Sequence, residues 1–541
     1  MLRRNFVLLQ DSNMTGKTEL NNIDRGQFCK WIGRSVDFKL VYKASRDGMS
    51  PAIFHQKCDN KGPTVVIGYN TDGCVFGGYT SVDWKPCTCG TAQTRWDEKA
   101  FLFSLKYMYE YHPKIFPVNN PELAITMCST YSPVFGVAAN PDMVILPHKI
   151  VNKDTNGNFV TGLTRENIQF GKVYDSEGVP IQQVTKDNYI FKEVEIYQVM
   201  DPVRLDKPWR NEKKDNKATL KKMVEDYCPV KDTGVKQSRI LLVGSVGAGK
   251  SSYFNTINSI FKGHVACQAN TGSSEHSLTT KYRCHQLRNN STYLNFRLCD
   301  TRGMEDTQGI DPCDWTAILD GHVPDRYTFE PCSPITPDSP GYIKTPTVND
   351  KIHCVAFVID SSSVDVMNES ILSKFNLVQK LANERGIPQV IVLTKVDQIE
   401  LDVEEDLTRL LYSSRVAYVV DQVAQLIGLP RGHVLPVKNY EKETELNETV
   451  DRFALLSLQQ ILRFADDYMY ELLDVLNTRD TYNRPTLDTR QPSRKLSSHS
   501  LLWLWVIVII LLVFITYYLL SYAYNLTDIF NSLFNIDNQR L

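Results

Sequence analysis

The sequence predicts a multidomain chain: an N-terminal antiparallel β-rich domain, an α/β P-loop domain with a parallel sheet, and a C-terminal transmembrane helix. Three observations predict it. Short β-like runs alternate with turn signals over the first 200 residues. A glycine-rich GxxxxGKS loop then sits between a buried-strand run and a helical run. Finally, an uncharged apolar stretch runs from Leu501 to Tyr524. Each carries a different backbone requirement, so they belong to different structural units.

The 541 residues leave room for two or three domains, and 42% hydrophobic with 23% charged residues is the composition of folded protein. A net charge of -2 supplies no field that would gather nucleic acid, so no nucleic-acid partner is expected. Thirteen cysteines, scattered without framework spacing, point to a reducing compartment. Cys87-Thr88-Cys89 has poor spacing for zinc and no second pair nearby.

After an N-terminal extension, residues 1–26, the β-like runs begin. Phe38–Tyr42, Thr64–Ile67 and Cys74–Tyr79 are separated by Asp47-Gly48, Lys61-Gly62-Pro63 and Thr71-Asp72-Gly73. This pattern predicts a mostly antiparallel domain over residues 27–200. A basic linker or helix, 201–236, carries Lys207, Arg210, Lys213, Lys214, Lys217 and Lys221. Such a run reads as a solvated face.

Strand–helix alternation over 237–476 predicts the parallel sheet. Ile240-Leu241-Leu242-Val243 reads as its buried first strand, followed at once by Gly244-Ser245-Val246-Gly247-Ala248-Gly249-Lys250-Ser251. Glycines there let backbone N–H groups turn toward phosphate oxygens at a helix N-terminus. The phosphate cradle is therefore expected from Gly244, Val246, Gly247, Ala248, Gly249, Lys250, Ser251 and Ser252. Lys250 is expected on the β- and γ-phosphates and Ser251 on magnesium.

Base choice rests on later residues. Phe296–Asp300 ends in Asp300-Thr301-Arg302-Gly303, where Asp300 can hold magnesium through water and the Gly303 N–H can sense a γ-phosphate. The buried run Val390–Leu393 leads into Thr394-Lys395-Val396-Asp397. A carboxylate there can accept both donors on the Watson–Crick edge of guanine, whereas adenine offers no such pair, so an ATPase reading leaves Asp397 idle. Lys395 is expected along the ring and Lys438, in Pro436-Val437-Lys438-Asn439, in the loop beneath the base. Thr279 or Thr280 lies where a threonine could close on the metal, or is a plain surface residue. The cofactors expected are Mg2+ with GTP or GDP, and the metal set is Ser251, Thr279 and Asp300. Met304 stands where many GTPases carry a water-orienting glutamine, so hydrolysis is expected to be slow unless assembly or a partner assists. No residue is assigned as catalytic.

A helical stretch through Leu458, Ile461, Ala465, Tyr468 and Leu472 closes the soluble part, and 477–500 reads as a polar tether. The 501–524 run is long enough for a bilayer core of roughly 30 Å and has Trp503, Trp505, Tyr517, Tyr518, Tyr522 and Tyr524 near its ends. Arg490, Arg494 and Lys495 precede it, which predicts a single-pass, tail-anchored chain with cytoplasmic main domains and a short lumenal tail, 525–541. The weakly charged tail favours the endoplasmic reticulum or another secretory-pathway membrane over mitochondria.

The α/β half resembles the interferon-induced protein 44 family, in Leu242–Ser252, Phe261–Val265, Pro324–Tyr327, Ile335–Pro337, Asp350–Val358 and Phe464–Asp467. The N-terminal half resembles a TLDc domain, in Tyr42–Gly48, Phe54–Asp59, Lys61–Thr64 and Phe76–Ser81. The first resemblance implies an innate immune or antiviral role with GTP bound at the P-loop. The second implies a β-sandwich with helices and no established active site, through which protein partners would be met. Two readings follow: a membrane-anchored GTPase acting as a switch or homo-oligomer, and a non-hydrolysing membrane scaffold acting through its TLDc-like domain.

Overall fold

Apolar residues alternate along the N-terminal strands, and each parity feeds a different core. In the computed structural model, Val65, Ile67, Phe101, Phe103, Tyr197 and Val199 pack with Phe28 on one face of a large sheet. Val66, Phe76, Leu102, Val194 and Ile196 pack on the other face, against Ile125, Met127, Phe135 and Met143 of a second sheet. A strand with period two can serve two cores only in this way.

The structure describes residues 18–85, 91–128, 131–146, 151–211, 215–267, 281–301, 303–304, 310–329 and 333–483, the last eight as backbone only. Among them the large sheet has eight strands, ordered Asn152–Lys153, Phe159–Val160, Ile190–Met200, Thr64–Asn70, Val75–Thr80, Phe101–Tyr107 and Glu110–Pro117, with Asp37–Lys43 also pairing Ile190–Met200. Gln93–Arg95, Ile125–Met127, Val134–Val137 and Asn140–Val144 form the four-stranded second sheet. All these pairings are antiparallel, so the expected antiparallel β-rich N-terminal region is present. Helix Asn22–Ile32 covers the outer face of the large sheet. The Asn21 side chain accepts the Asp24 N–H at its start, and Gly33, at φ 78°, closes its end.

The second half is built on six strands, ordered Arg283–Asn289, Thr292–Asp300, Ser238–Val243, Cys354–Asp360, Gln389–Thr394 and Val434–Pro436. The first pair is antiparallel and the rest are parallel. The sheet is thus mixed, with one antiparallel edge strand on an otherwise parallel core. Its central strands are apolar on both faces: Leu241, Val355, Phe357 and Ile391 face one core, whereas Ile240, Leu242, Ala356 and Val392 face the other. That is the signature of a sheet covered on both sides by helices.

The helix from Glu448 to Asn483 buries Leu458, Ile461, Ala465 and Met469 against the second face. The leucine, isoleucine and methionine side chains each contribute about 1.5–3 kcal/mol by leaving water. Although basic, the segment after residue 200 is strapped to the second half. Trp209 donates from Nε1 to the Leu410 carbonyl at 3.0 Å, and Arg210 donates to the Val434 and Arg431 carbonyls, each at 2.8 Å. The residues described up to Asp474 form one compact unit. Among the described residues no helix is long and apolar enough to cross a membrane. Residues 501–524, where the sequence expects one, lie outside those described, as do Cys87 and Cys89.

Candidate nucleotide site

The central strand Ser238–Val243 lies between Thr292–Asp300 on one side and Cys354–Asp360 on the other. The chain moves to one side of it and then to the other, which opens a crevice at its carboxyl end. The glycine-rich loop leaves the strand at that point. Gly247 and Gly249 have φ of 72° and 95°, a left-handed backbone that a Cβ would strain. Helix Lys250–Lys262 begins immediately, so its unpaired N–H groups face the crevice. A Cβ on Gly247 would meet nothing within 4 Å, so the loop has open space above it.

Lys250 is buried, and its ammonium donates to the carbonyls of Gly244 at 2.9 Å and Ser245 at 3.0 Å. Burial pushes its pKa down, with the negative charge of Asp300 opposing. Ser251 donates from Oγ to Asp300 Oδ2 at 2.6 Å, while Asp300 Oδ1 is buried without a hydrogen-bond partner. Burial pushes the Asp300 carboxyl up, and Lys250 and the Ser251 hydroxyl pull it back. An orphaned carboxylate oxygen beside a serine hydroxyl is a hard-oxygen set that suits magnesium. A Cβ on Gly303 would lie 2.6 Å from Val246 Cγ2 and 2.9 Å from its Cα, so the DxxG glycine rests directly on the phosphate loop. Met304 donates its N–H to the Gly244 carbonyl at 3.1 Å, and its side chain is buried in the apolar core.

At the far side of the crevice, Thr394 donates from Oγ1 to the Ala248 carbonyl at 2.6 Å, which couples the TKxD strand end to the glycine-rich loop. Lys395, at φ 55°, pairs with Asp360 Oδ2 at 2.6 Å. Asp397 and Lys438 stand side by side, their charged atoms 3.9 Å apart, and Lys438 also pairs with Glu443 at 2.9 Å. Burial raises the Asp397 carboxyl, with Lys438 opposing. Lys250, Ser251, Asp300 and Gly303 therefore converge on one loop, and Asp397 meets Lys438. Ser252 lies in the first turn of the helix. Thr279 and Thr280 lie outside the described residues. Sequence reasoning missed Asp360, which ends the buried strand Cys354–Asp360 and holds Lys395 in place. It also missed Thr256 and Asn439. Thr256 accepts the Tyr440 N–H at 3.0 Å, and Asn439 donates to the Gly249 carbonyl at 3.4 Å.

A family model of the TLDc domain matches residues 9–200. Interferon-induced protein 44-like of Homo sapiens is 40% identical over 253 residues, 46% of this chain and 56% of that protein. Interferon-induced protein 44 of Mus musculus is 28% identical over 437 residues, 80% of this chain and 94% of that protein. The Homo sapiens interferon-induced protein 44 is 28% identical over 437 residues, 80% of this chain and 90% of that one. Over most of its length the chain is similar to interferon-induced protein 44 proteins, and its N-terminal region matches the TLDc domain. The match to the first relative spans little more than half of that protein.

In this chain the helix Asn22–Ile32 reaches the Asp397 side of the crevice. Asn22 donates its N–H to Asp365 Oδ2 at 2.7 Å, and Arg415 hydrogen-bonds the Asn22 side chain. Ser35 Oγ accepts the Asp402 N–H at 2.8 Å. A Cβ on Gly26 would lie 2.9 Å from the carbonyl of Gln398, the residue after Asp397. Asp365 itself lies five residues beyond Asp360, in the short helix Ser361–Val366.

Proposed function

We propose that this chain binds guanine nucleotide with magnesium at the Gly244–Ser251 loop and acts as a membrane-anchored switch in innate immune defence. The observation that carries the reading is the Ser251–Asp300 pair, with its orphaned buried oxygen, beside a buried lysine at a helix N-terminus. Bound phosphate would draw the Lys250 ammonium from the Gly244 and Ser245 carbonyls and satisfy its charge. Ser251 and Asp300 would hold the magnesium, with Thr279 as a further ligand; the metal supplies charge neutralisation on the phosphates. Asp397 would read guanine, with Lys395 flanking the ring and Lys438 beneath it.

Hydrolysis is proposed to be slow, stimulated by assembly or a partner. The Met304 side chain is packed in the core, so it can neither orient nor polarise a water. The same observation favours a second reading, a scaffold that holds nucleotide structurally and acts through its TLDc domain. The immune role rests on the chain's similarity to interferon-induced proteins. Membrane attachment rests on the uncharged 501–524 run, with the main domains on the cytoplasmic side of a secretory-pathway membrane.

Nucleotide binding and turnover test this together. The full chain in detergent micelles with magnesium is expected to retain GTP and GDP in preference to ATP, with turnover that rises with protein concentration. Tight binding with no turnover at any concentration selects the scaffold, and no retained guanine nucleotide at micromolar levels rejects the switch. Flotation with liposomes, lost on deletion of 501–524, tests the anchor.

A further inference from the structure

The edge strand Arg283–Asn289 runs antiparallel to Thr292–Asp300, and the register sets Cys284 directly opposite Cys299. Their sulfurs are 3.1 Å apart, and both thiols are free. Directly opposed residues on antiparallel strands have Cα atoms about 4.5–5.5 Å apart, within the roughly 4.4–6.8 Å that a disulfide spans. A bond here needs the sulfurs to close to about 2.05 Å, without moving one strand along the other. Cys284 lies on the outermost strand and keeps 9% of its surface exposed, whereas Cys299 has none. The pair is therefore graded by burial: Cys284 keeps a small part of its surface at the sheet edge, and Cys299 keeps none.

We propose that Cys284 and Cys299 are a reversible oxidation site that closes to a cross-strand disulfide when the chain meets a peroxide. Cys284 sulfur attacks one peroxide oxygen: an S–O bond forms, the O–O bond breaks, and the departing hydroxide takes the thiol proton as water. Cys299 sulfur then displaces the hydroxyl of that sulfenic acid, which leaves with the second thiol proton as another water. Two thiols give up two electrons to one peroxide, and a dithiol reductant reverses the change. Such transient disulfides are the kind that reducing compartments tolerate.

The site adjoins the metal carboxylate. Cys299 precedes Asp300, and Arg283 pairs with Asp300 across the ladder. Closing the sulfurs one residue from Asp300 is expected to shift its 2.6 Å contact with Ser251, and magnesium accepts little departure from its preferred geometry. Oxidation is therefore expected to weaken magnesium-dependent guanine-nucleotide binding severalfold, a consequence that rests on the nucleotide reading above.

The test is peptide mass analysis of the full chain after hydrogen peroxide and thiol blocking. The expected product joins the peptides of Cys284 and Cys299, lacks two hydrogens, and is released by dithiothreitol. Cys299→Ser should instead accumulate sulfenic acid at Cys284, detected with a dimedone probe. Equal alkylation of both thiols before and after peroxide, or Cys284 over-oxidised with no joined peptide, overturns the site. A joined peptide with unchanged nucleotide affinity overturns the regulatory consequence alone. Absence of nucleotide binding in the reduced chain would count against the nucleotide reading, while the joined peptide still decides the site.

Discussion

Asp365 Oδ2 accepts the backbone N–H of Asn22 at 2.7 Å, across 343 residues of sequence. The bond satisfies an amide near the start of helix Asn22–Ile32 and ties the TLDc domain to a segment that follows Asp360, the partner of Lys395. One domain thereby touches the support of the loop that is proposed to read the base in the other.

Asp365→Ala should cost about 1–3 kcal/mol in denaturant unfolding, because it leaves a partly buried amide without an acceptor. Coupling between sites is reciprocal, so the same variant should lose the slowing of amide exchange over residues 22–32 that GDP and magnesium are expected to produce. Unchanged stability together with unchanged exchange would dismiss the link.

Asp397→Ala should reduce GTP affinity at least about a hundredfold while leaving ATP affinity within a few fold, since two charged hydrogen bonds are lost at about 1.5–3 kcal/mol each. Competition binding against a fluorescent guanine nucleotide measures it. An unaltered preference for GTP would mean that some other group reads the base.

Gly303→Ala sets a methyl group 2.6 Å from Val246 Cγ2 and 2.9 Å from backbone atoms of the same residue. Backbone cannot yield cheaply there, so the phosphate loop must shift. Magnesium-dependent nucleotide binding should fall at least tenfold, and the strain on the buried backbone should lower the thermal unfolding temperature as well. A fully active variant would show that the loop has room to spare.

Two buried groups set opposite pH trends. Burial raises the Asp24 carboxyl from 3.8 to about 6, opposed by Lys106. Its favourable contribution is therefore present below pH 3.8 and lost as pH rises through about 6. Burial depresses His353 from 6.5 to about 4, so its contribution is present above pH 6.5 and lost as pH falls through about 4. The ring accepts the Arg239 N–H at 2.8 Å and meets the Val348 carbonyl at 2.9 Å, which suits the neutral form. Asp24→Asn should be more stable than the parent at pH 7, by up to roughly 3 kcal/mol at about 1.4 kcal/mol per pKa unit, with the advantage fading toward pH 4. Parallel unfolding curves at both pH values would rule out a shifted Asp24.

Much of the geometry of the candidate nucleotide site was legible in the chain because its requirements are local. Gly247 and Gly249 hold backbone angles that side chains resist, and Lys250 and Ser251 follow as the first residues of the helix. Apolar runs such as Leu241–Val243 and Val390–Leu393 had to be strands buried on both faces, since nothing polar interrupts them. Period-two alternation likewise marked the antiparallel half. Local backbone preference and transfer of apolar surface from water decide such features without knowledge of the rest of the fold.

Tertiary structure alone decided which distant groups meet. Asp360 holding Lys395, Asn22 bound to Asp365, Lys438 beside Asp397, and Cys284 facing Cys299 all depend on sheet register and domain packing. A carboxylate or thiol carries no mark in the sequence of its eventual partner. That choice is made when burial removes water and leaves each polar group only the neighbours that the packed chain supplies.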